Sequence, residues 1–278
     1  MLETKIHWQV SDYCTAGCTY CPKTYWGGEK PRDILEYVRV TKKMIDHYTS
    51  LNRRIIWHFT GGDPLEMFDF PMVLKMCKEA NGDITIDTNG GKLWIDWWAI
   101  EPHVDYLNLT YHYWQNPNLI KFILQTFIAK EKSFSITVPI RPDFFEKDFQ
   151  RAELIEQEFS IPVGKQVLFN LGDSNLGFDY TEEQLTKLGR PDLIPSKTMT
   201  YHERLNETVI DHPVFTGKLC NAGIETLKIN NGWVRGSDCD SLILGKIWDE
   251  NFELPSQPHR CRIMYCGSGA DQQITKFD

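Results

Sequence analysis

Residues 14–21 read Cys14-Thr-Ala-Gly-Cys18-Thr-Tyr20-Cys21, which places three thiols within eight residues. Directly before them, Ile6 to Val10 is a short apolar-rich run that reads as a buried strand. The other five cysteines are Cys77, which stands alone, and Cys220, Cys239, Cys261 and Cys266 in the last fifth of the 278 residues. The first residues carry no apolar stretch followed by a small-residue cleavage site, so a cytoplasmic setting is expected. Structural disulfides are rare there, and clustered cysteines more often ligate metal or carry redox chemistry. Four thiolates close a tetrahedral zinc site or saturate an iron–sulfur cluster. Three on a four-iron cubane leave one iron open to a substrate or cofactor. From spacing alone, a zinc knuckle completed by His7 or His58 is the alternative for the first group.

Composition narrows the classes further. Apolar residues make up 41% and aromatics 13%, enough to fill a core, so disorder is excluded. No run approaches the roughly 20 apolar residues of a membrane span, so no membrane partner is expected. The net charge of −8 argues against nucleic acid as a partner.

Outward from the thiols, strand and helix patterns alternate. Arg32 to Tyr48, Phe70 to Glu79, Leu119 to Lys130 and Ala152 to Glu158 have helical spacing. Arg54 to Phe59, Asp83 to Asp87, Tyr106 to Tyr111, Ser133 to Ile140 and Val163 to Phe169 read as strands. The alternation predicts βα units and a parallel sheet of six strands. The Cys14 loop, Gly61-Gly62, Asn89-Gly90 and Tyr111-His112 all follow strands, so they are expected to meet on one rim. From Gly172 to Gly217 the pattern breaks into a linker rich in Gly, Pro and Asn, with one helix at Thr181 to Leu188. Beyond it, Thr226 to Asn230 and Gly232 to Arg235 form a predicted hairpin across Asn231-Gly232.

These residues together resemble the radical S-adenosylmethionine (SAM) enzymes. The resemblance rests on Cys14-x3-Cys18-x2-Cys21 with Tyr20 before the last cysteine, then Gly61-Gly62-Asp63-Pro64, Thr88-Asn89-Gly90 and Thr110-Tyr111-His112, in that order over about 170 residues. It implies an α/β fold, a partial (β/α)6 TIM-like barrel over residues 1–195. It also implies that Cys14, Cys18 and Cys21 hold a [4Fe–4S] cluster whose open iron binds SAM. Reductive cleavage would then give a 5′-deoxyadenosyl radical that abstracts a substrate hydrogen. Gly61 and Gly62 would let the backbone approach SAM, and Asp63, where the family usually has Glu, would supply negative charge or backbone carbonyl dipoles to its ammonium. Tyr20 is expected beside the adenine, Thr110 at the ribose and Arg141 at the SAM carboxylate. Thr88, Asn89 and His112 complete the cofactor-binding set, and a flavodoxin or ferredoxin is the implied electron donor. Read singly, the Gly pair is a turn, Thr110 a packing residue, His112 a hydrogen-bonded rim histidine and Asp63 a helix N-cap.

Residues 196–278 resemble a twitch or SPASM extension, a small cysteine-rich β-hairpin/α unit. Cys220, Cys239, Cys261 and Cys266 would hold one auxiliary [4Fe–4S] cluster, with zinc as the alternative. The expected activity is that of an oxidoreductase or peptide-modifying enzyme acting on a peptide or small molecule. A zinc-bearing binding protein, or an enzyme acting on a nucleotide or RNA, are the alternatives. Cys77 reads as core. The aromatics Trp94, Trp97, Trp98, Tyr106, Tyr111, Tyr113 and Trp114 either line a pocket or pack the barrel.

Overall fold

The computed structural model describes every residue except 22–27, 92–93, 169–178, 195–213, 240 and 267, and the backbone alone of 94–96 and 270. The expected domain boundary after residue 195, most of the linker, Phe169 and the Trp94 side chain therefore lie outside what is described.

Six strands run parallel in chain order: β1 (Leu2–Gln9), β2 (Arg53–Thr60), β3 (Asp83–Thr88), β4 (Tyr106–Thr110), β5 (Ser133–Ile140) and β6 (Gly164–Val167). Helices α1 (Ile34–Ser50), α2 (Phe70–Glu79), α3 (Trp94–Ile100), α4 (Pro117–Ala129) and α5 (Phe145–Phe159) connect them. The period of two in each strand decides which side chains face which layer. In β1, Thr4, Ile6 and Trp8 are fully buried among the helices, whereas Lys5, His7 and Gln9 line the concave side. In β2, Ile55, Trp57 and Phe59 join the core, with Trp57 and Phe59 stacked at 5.6 Å. The helices present matching stripes: Tyr37, Val40, Met44 and Tyr48 are buried along α1, which Asp33 caps by accepting from the Leu35 amide at 2.8 Å. Helix α5 begins before the expected Ala152, because Phe145 and Phe149 extend the buried face of Ala152 and Ile155.

Helix α6 (Glu182–Lys187) follows, with a Thr181–Gln184 capping box. The hairpin of β8 (Thr226–Asn230) and β9 (Trp233–Arg235) turns through Asn231 and Gly232 at φ 50° and 75°, the left-handed pair that a tight hairpin turn favours. A Cβ on Gly232 would meet the Trp248 indole at 2.2 Å.

This hairpin is not a free-standing tail. Strand β8 pairs in parallel with the open edge of β1, and β10 (Ile243–Lys246) pairs with β9. The sheet thereby reaches nine strands among the described residues. Leu227, Ile229, Val234, Ile247 and Phe252 enter the barrel's own core. The pairing covers an edge that would otherwise expose a row of unpaired backbone groups. A second sheet, of two-residue strands, orders β11 (His259–Arg260), β7 (Leu219–Cys220) and β12 (Lys276–Phe277), with α7 (Gly269–Gln272) beside it. Strands this short carry no readable period, and only long-range pairing reveals them. Among the described residues no helix is long and apolar enough to cross a membrane.

Candidate functional site

The three-thiol loop leaves β1 and is held by the loop that leaves β2. The Val10 amide donates to the Thr60 carbonyl at 2.9 Å, Gly62 N–H to Ser11 O at 2.8 Å and Asp63 N–H to Tyr13 O at 3.1 Å. The two glycines make this approach possible. A Cβ on Gly61, at φ 156°, would lie 2.5 Å from Ser11 O, and one on Gly62 2.4 Å from Tyr13 O. They were expected to admit a ligand, and they do line the cavity described next. Their tightest constraint, however, is the backbone of the cysteine loop. Glu66 tethers the loop further, accepting from the Thr15 amide at 3.1 Å and from its hydroxyl.

A cavity of about 220 Å³ opens at the C-terminal ends of β1 to β4. Cys14, Cys18 and Cys21 line it together with Gly61, Gly62, Thr88, Asn89, Thr110 and His112. Residues from four separate loops thus meet on the expected rim. Asp87 lines the cavity too and was not singled out from sequence. It continues the concave face of β3 with a period of two, the signal that could have found it. Burial works to raise its carboxyl, but contacts from His58, 2.7 Å away, and Asn108, at 2.6 Å, hold it below the usual range. Burial pushes the Cys14 and Cys21 thiols up to about 11, so a metal bound there would have to displace their protons.

Asp63 does not face the cavity. Its carboxylate is 2% exposed and turns inward, accepting from the Thr88 hydroxyl at 2.9 Å, the Asn89 amide at 2.8 Å and the Leu65 amide at 2.8 Å. The expected side-chain contact to a ligand ammonium is corrected to a clamp between the loops after β2 and β3, and the N-cap reading holds for the short turn at Pro64–Glu66. Burial raises this carboxyl from 3.8 to about 6, against the pull of those donors. With the folded value above the unfolded one, the folded chain holds an extra proton between these limits. The carboxyl's contribution to stability is complete below about pH 4 and lost above about pH 6, a span of about 3 kcal/mol. In thermal melts of the cluster-free chain, wild type is expected to gain on Asp63→Asn as pH falls from about 7 to 4. A difference independent of pH would refute this.

Arg141 is likewise placed elsewhere than expected. It is not among the cavity residues; its Nε and Nη2 grip the fully buried Asp148 at 2.7 and 2.9 Å, and its guanidinium lies 3.8 Å from the Tyr113 ring centroid. Arg151 Nη1 pairs the same carboxylate at 2.8 Å, so two guanidinium groups compensate this fully buried charge. Tyr20 is also outside the cavity lining: its hydroxyl meets His112 Nδ1, and the two rings stack at 5.8 Å. Burial lowers His112 to about 4, so the ring is neutral near pH 7.

Trp114 was read only as one of a group of aromatics. Its indole N–H donates to Cys18 Sγ at 3.1 Å, and its ring stacks on His112 at 5.8 Å. Hydrogen bonds to cluster sulfurs stabilise the reduced form. If these thiols hold an iron–sulfur cluster, Trp114→Phe is therefore expected to make it harder to reduce, read as a more negative midpoint in an anaerobic redox titration. An unchanged midpoint would contradict the contact.

Of the tail thiols, Cys220 ends β7, Cys239 lies between β9 and β10, and Cys261 and Cys266 follow β11. Cys220, Cys261 and Cys266 are buried, and all eight cysteines are unbridged. Cys220 feels both Cys261 and Cys239, and Cys266 feels Cys239. Ser237 and Ser241 hydroxyls lie 3.1 and 3.7 Å from the Cys239 and Cys261 sulfurs. Cys77 is fully buried in α2. Among the described residues no three His, Cys, Asp or Glu side chains close on a single-ion position.

An open parallel βα sheet with three thiols at its C-terminal rim defines the class to which the chain is similar. Residues 8–124, from β1 into α4, match the radical SAM superfamily. The structure of native anSMEcpe with bound AdoMet superposes with a TM-score of 0.53 at 15% identity, covering 89% of this chain and 78% of that one. Native anSMEcpe with bound AdoMet and Cp18Cys peptide gives 0.54 at 16% identity, covering 90% and 78%. At such identities the likeness is one of fold. No curated protein matches the sequence.

Proposed function

We propose that the protein is a radical SAM oxidoreductase or peptide-modifying enzyme that abstracts hydrogen from a peptide or small-molecule substrate. The observation that carries the proposal is the shared cavity of Cys14, Cys18 and Cys21 with the Gly61–Gly62, Thr88–Asn89 and Thr110–His112 segments. The binding of AdoMet and a peptide by a protein of similar fold supports the same reading. When bound, a [4Fe–4S] cluster with SAM supplies one-electron reductive cleavage of the sulfonium and a 5′-deoxyadenosyl radical. The donor set suits it: three thiols in one short loop, with Trp114 and His112 at the Cys18 sulfur.

The protein's own residues do the rest. Gly61 and Gly62 fix the thiol loop, and Asp63 locks the Thr88–Asn89 segment behind it. Ionised Asp87 presents a negative oxygen on the cavity wall, suited to a cationic ligand. The four tail cysteines are proposed to hold an auxiliary [4Fe–4S] cluster, and a flavodoxin or ferredoxin to deliver the electron. The decisive experiment is anaerobic reconstitution followed by SAM and dithionite. Formation of 5′-deoxyadenosine is expected, and none from an iron-loaded chain would overturn the proposal.

A further inference from the structure

A second cavity, of about 350 Å³, lies on the concave side of the sheet away from the thiol rim. His7, His58 and Thr85 line it from β1, β2 and β3, Lys228 from β8, and Asp238 and Asp271 from the tail. It adjoins the first cavity, because His58 on its wall lies 2.7 Å from Asp87 on the wall of the other.

Asp271 is the informative residue. It is 2% exposed; Oδ1 accepts from the Asp238 amide at 3.1 Å, while Oδ2 has no hydrogen-bond partner among the described residues. A buried carboxylate oxygen without a donor costs about 1–3 kcal/mol or more, so its position facing a cavity points to a donor that arrives from outside. The cations nearby are otherwise engaged or displaced. Lys228 is bonded to Asp238, the Lys276 ammonium donates to the Asp271 and Ile274 backbone carbonyls at 2.6 and 2.8 Å, and Lys5 is exposed on the wall. His7, its ring centroid 4.5 Å from that of His58 and tilted at 52° to it, is lowered to about 4 by burial and by the neighbouring His58 and Lys228, so it is uncharged near neutrality. On the lining, Lys228 is spent on Asp238, which leaves Asp271 Oδ2 without a donor among the described residues.

We infer that this cavity binds a cationic nitrogen group, an ammonium or guanidinium of side-chain size, with Asp271 as its counter-ion. The volume sits at the low end for a small-molecule site and admits one side chain rather than a folded polymer. If the function proposed above holds, this group belongs to the substrate, whose reacting carbon then lies toward Asp87 and the thiol rim. Binding itself does not depend on that function.

The test uses the full chain, reconstituted anaerobically, titrated with n-butylammonium and, as neutral and anionic controls of equal length, n-butanol and butyrate. The ammonium is expected to bind at least about ten-fold tighter than either control, and Asp271→Asn to remove the preference. Thr85→Phe, which fills the cavity from the sheet side without touching Asp271, is expected to weaken the ammonium by a similar factor. Equal binding of the three probes overturns the inference, as does a preference retained in Asp271→Asn. Should Asp271→Asn not fold, unchanged ammonium binding by Thr85→Phe overturns it instead. SAM cleavage is read on the same sample: its absence refutes the enzyme reading and leaves the ammonium result standing.

Discussion

Replacing Gly62 with alanine is expected to cost most of the iron held at Cys14, Cys18 and Cys21, and with it at least about ten-fold in 5′-deoxyadenosine yield. The added Cβ would fall 2.4 Å from Tyr13 O, 2.5 Å from Tyr13 C and 2.7 Å from Asp12 O. All three are backbone atoms, so no side chain can swing aside. Relief requires the loop after β2 to separate from the cysteine loop, which breaks Gly62 N–H to Ser11 O and Asp63 N–H to Tyr13 O. Overpacking of this kind costs about 1–3 kcal/mol, more where backbone is the obstacle, and here the strain falls on the segment that spaces three metal ligands. Gly17→Ala is the control: Gly17 sits in the same loop at φ 60° with nothing within 4 Å of an added Cβ. It should show only the roughly 1–2 kcal/mol strain of a left-handed alanine. Iron content and product yield within two-fold of wild type in Gly62→Ala would refute the packing argument.

The second large effect separates the two thiol groups. Wild type is expected to hold about eight irons per chain, from two four-iron clusters. Cys18→Ala and Cys261→Ala should each lower this to about four. Only Cys18→Ala should abolish SAM cleavage, because Cys18 lines the cavity proposed to take SAM and Cys261 does not. Cys261→Ala should instead loosen the tail. Its apolar cluster consists of little more than Cys220, Ala222, Cys261 and Ile274, and its sheet of two-residue strands. A core so small depends on metal for its stability. Limited proteolysis should therefore cut the tail of this variant first, while β8 and β9, paired into the barrel sheet, resist. Iron near eight in Cys261→Ala would remove the auxiliary cluster from the proposal.

The parallel order of β1 to β6 was legible because each strand carries its own apolar period and each helix its own stripe. The rim was legible for a related reason: every chemistry-bearing segment follows a strand, and in parallel βα units those loops share one end. Which way each side chain points was not legible. Asp63 and Arg141 are charged residues in rim segments, and sequence alone cannot say that Asp63 turns toward Thr88 and Asn89 or that Arg141 is claimed by Asp148. Trp114 is one aromatic among several until its indole is found 3.1 Å from Cys18.

Sequence by itself determined what is local. Three thiols within eight residues are close whatever the rest of the chain does, and Asn231-Gly232 makes its turn without outside help. Tertiary structure decided what depends on distant segments meeting. It brought Cys220 and Cys261 into one buried cluster across about forty residues, joined β8 to the edge of β1, and set Asp271 against a cavity whose other walls come from the first three strands, β8 and the loop after β9. The physical reason is that contacts within one turn are fixed by chain geometry. Contacts between strands are fixed instead by register and by which faces bury together, and no single segment encodes that.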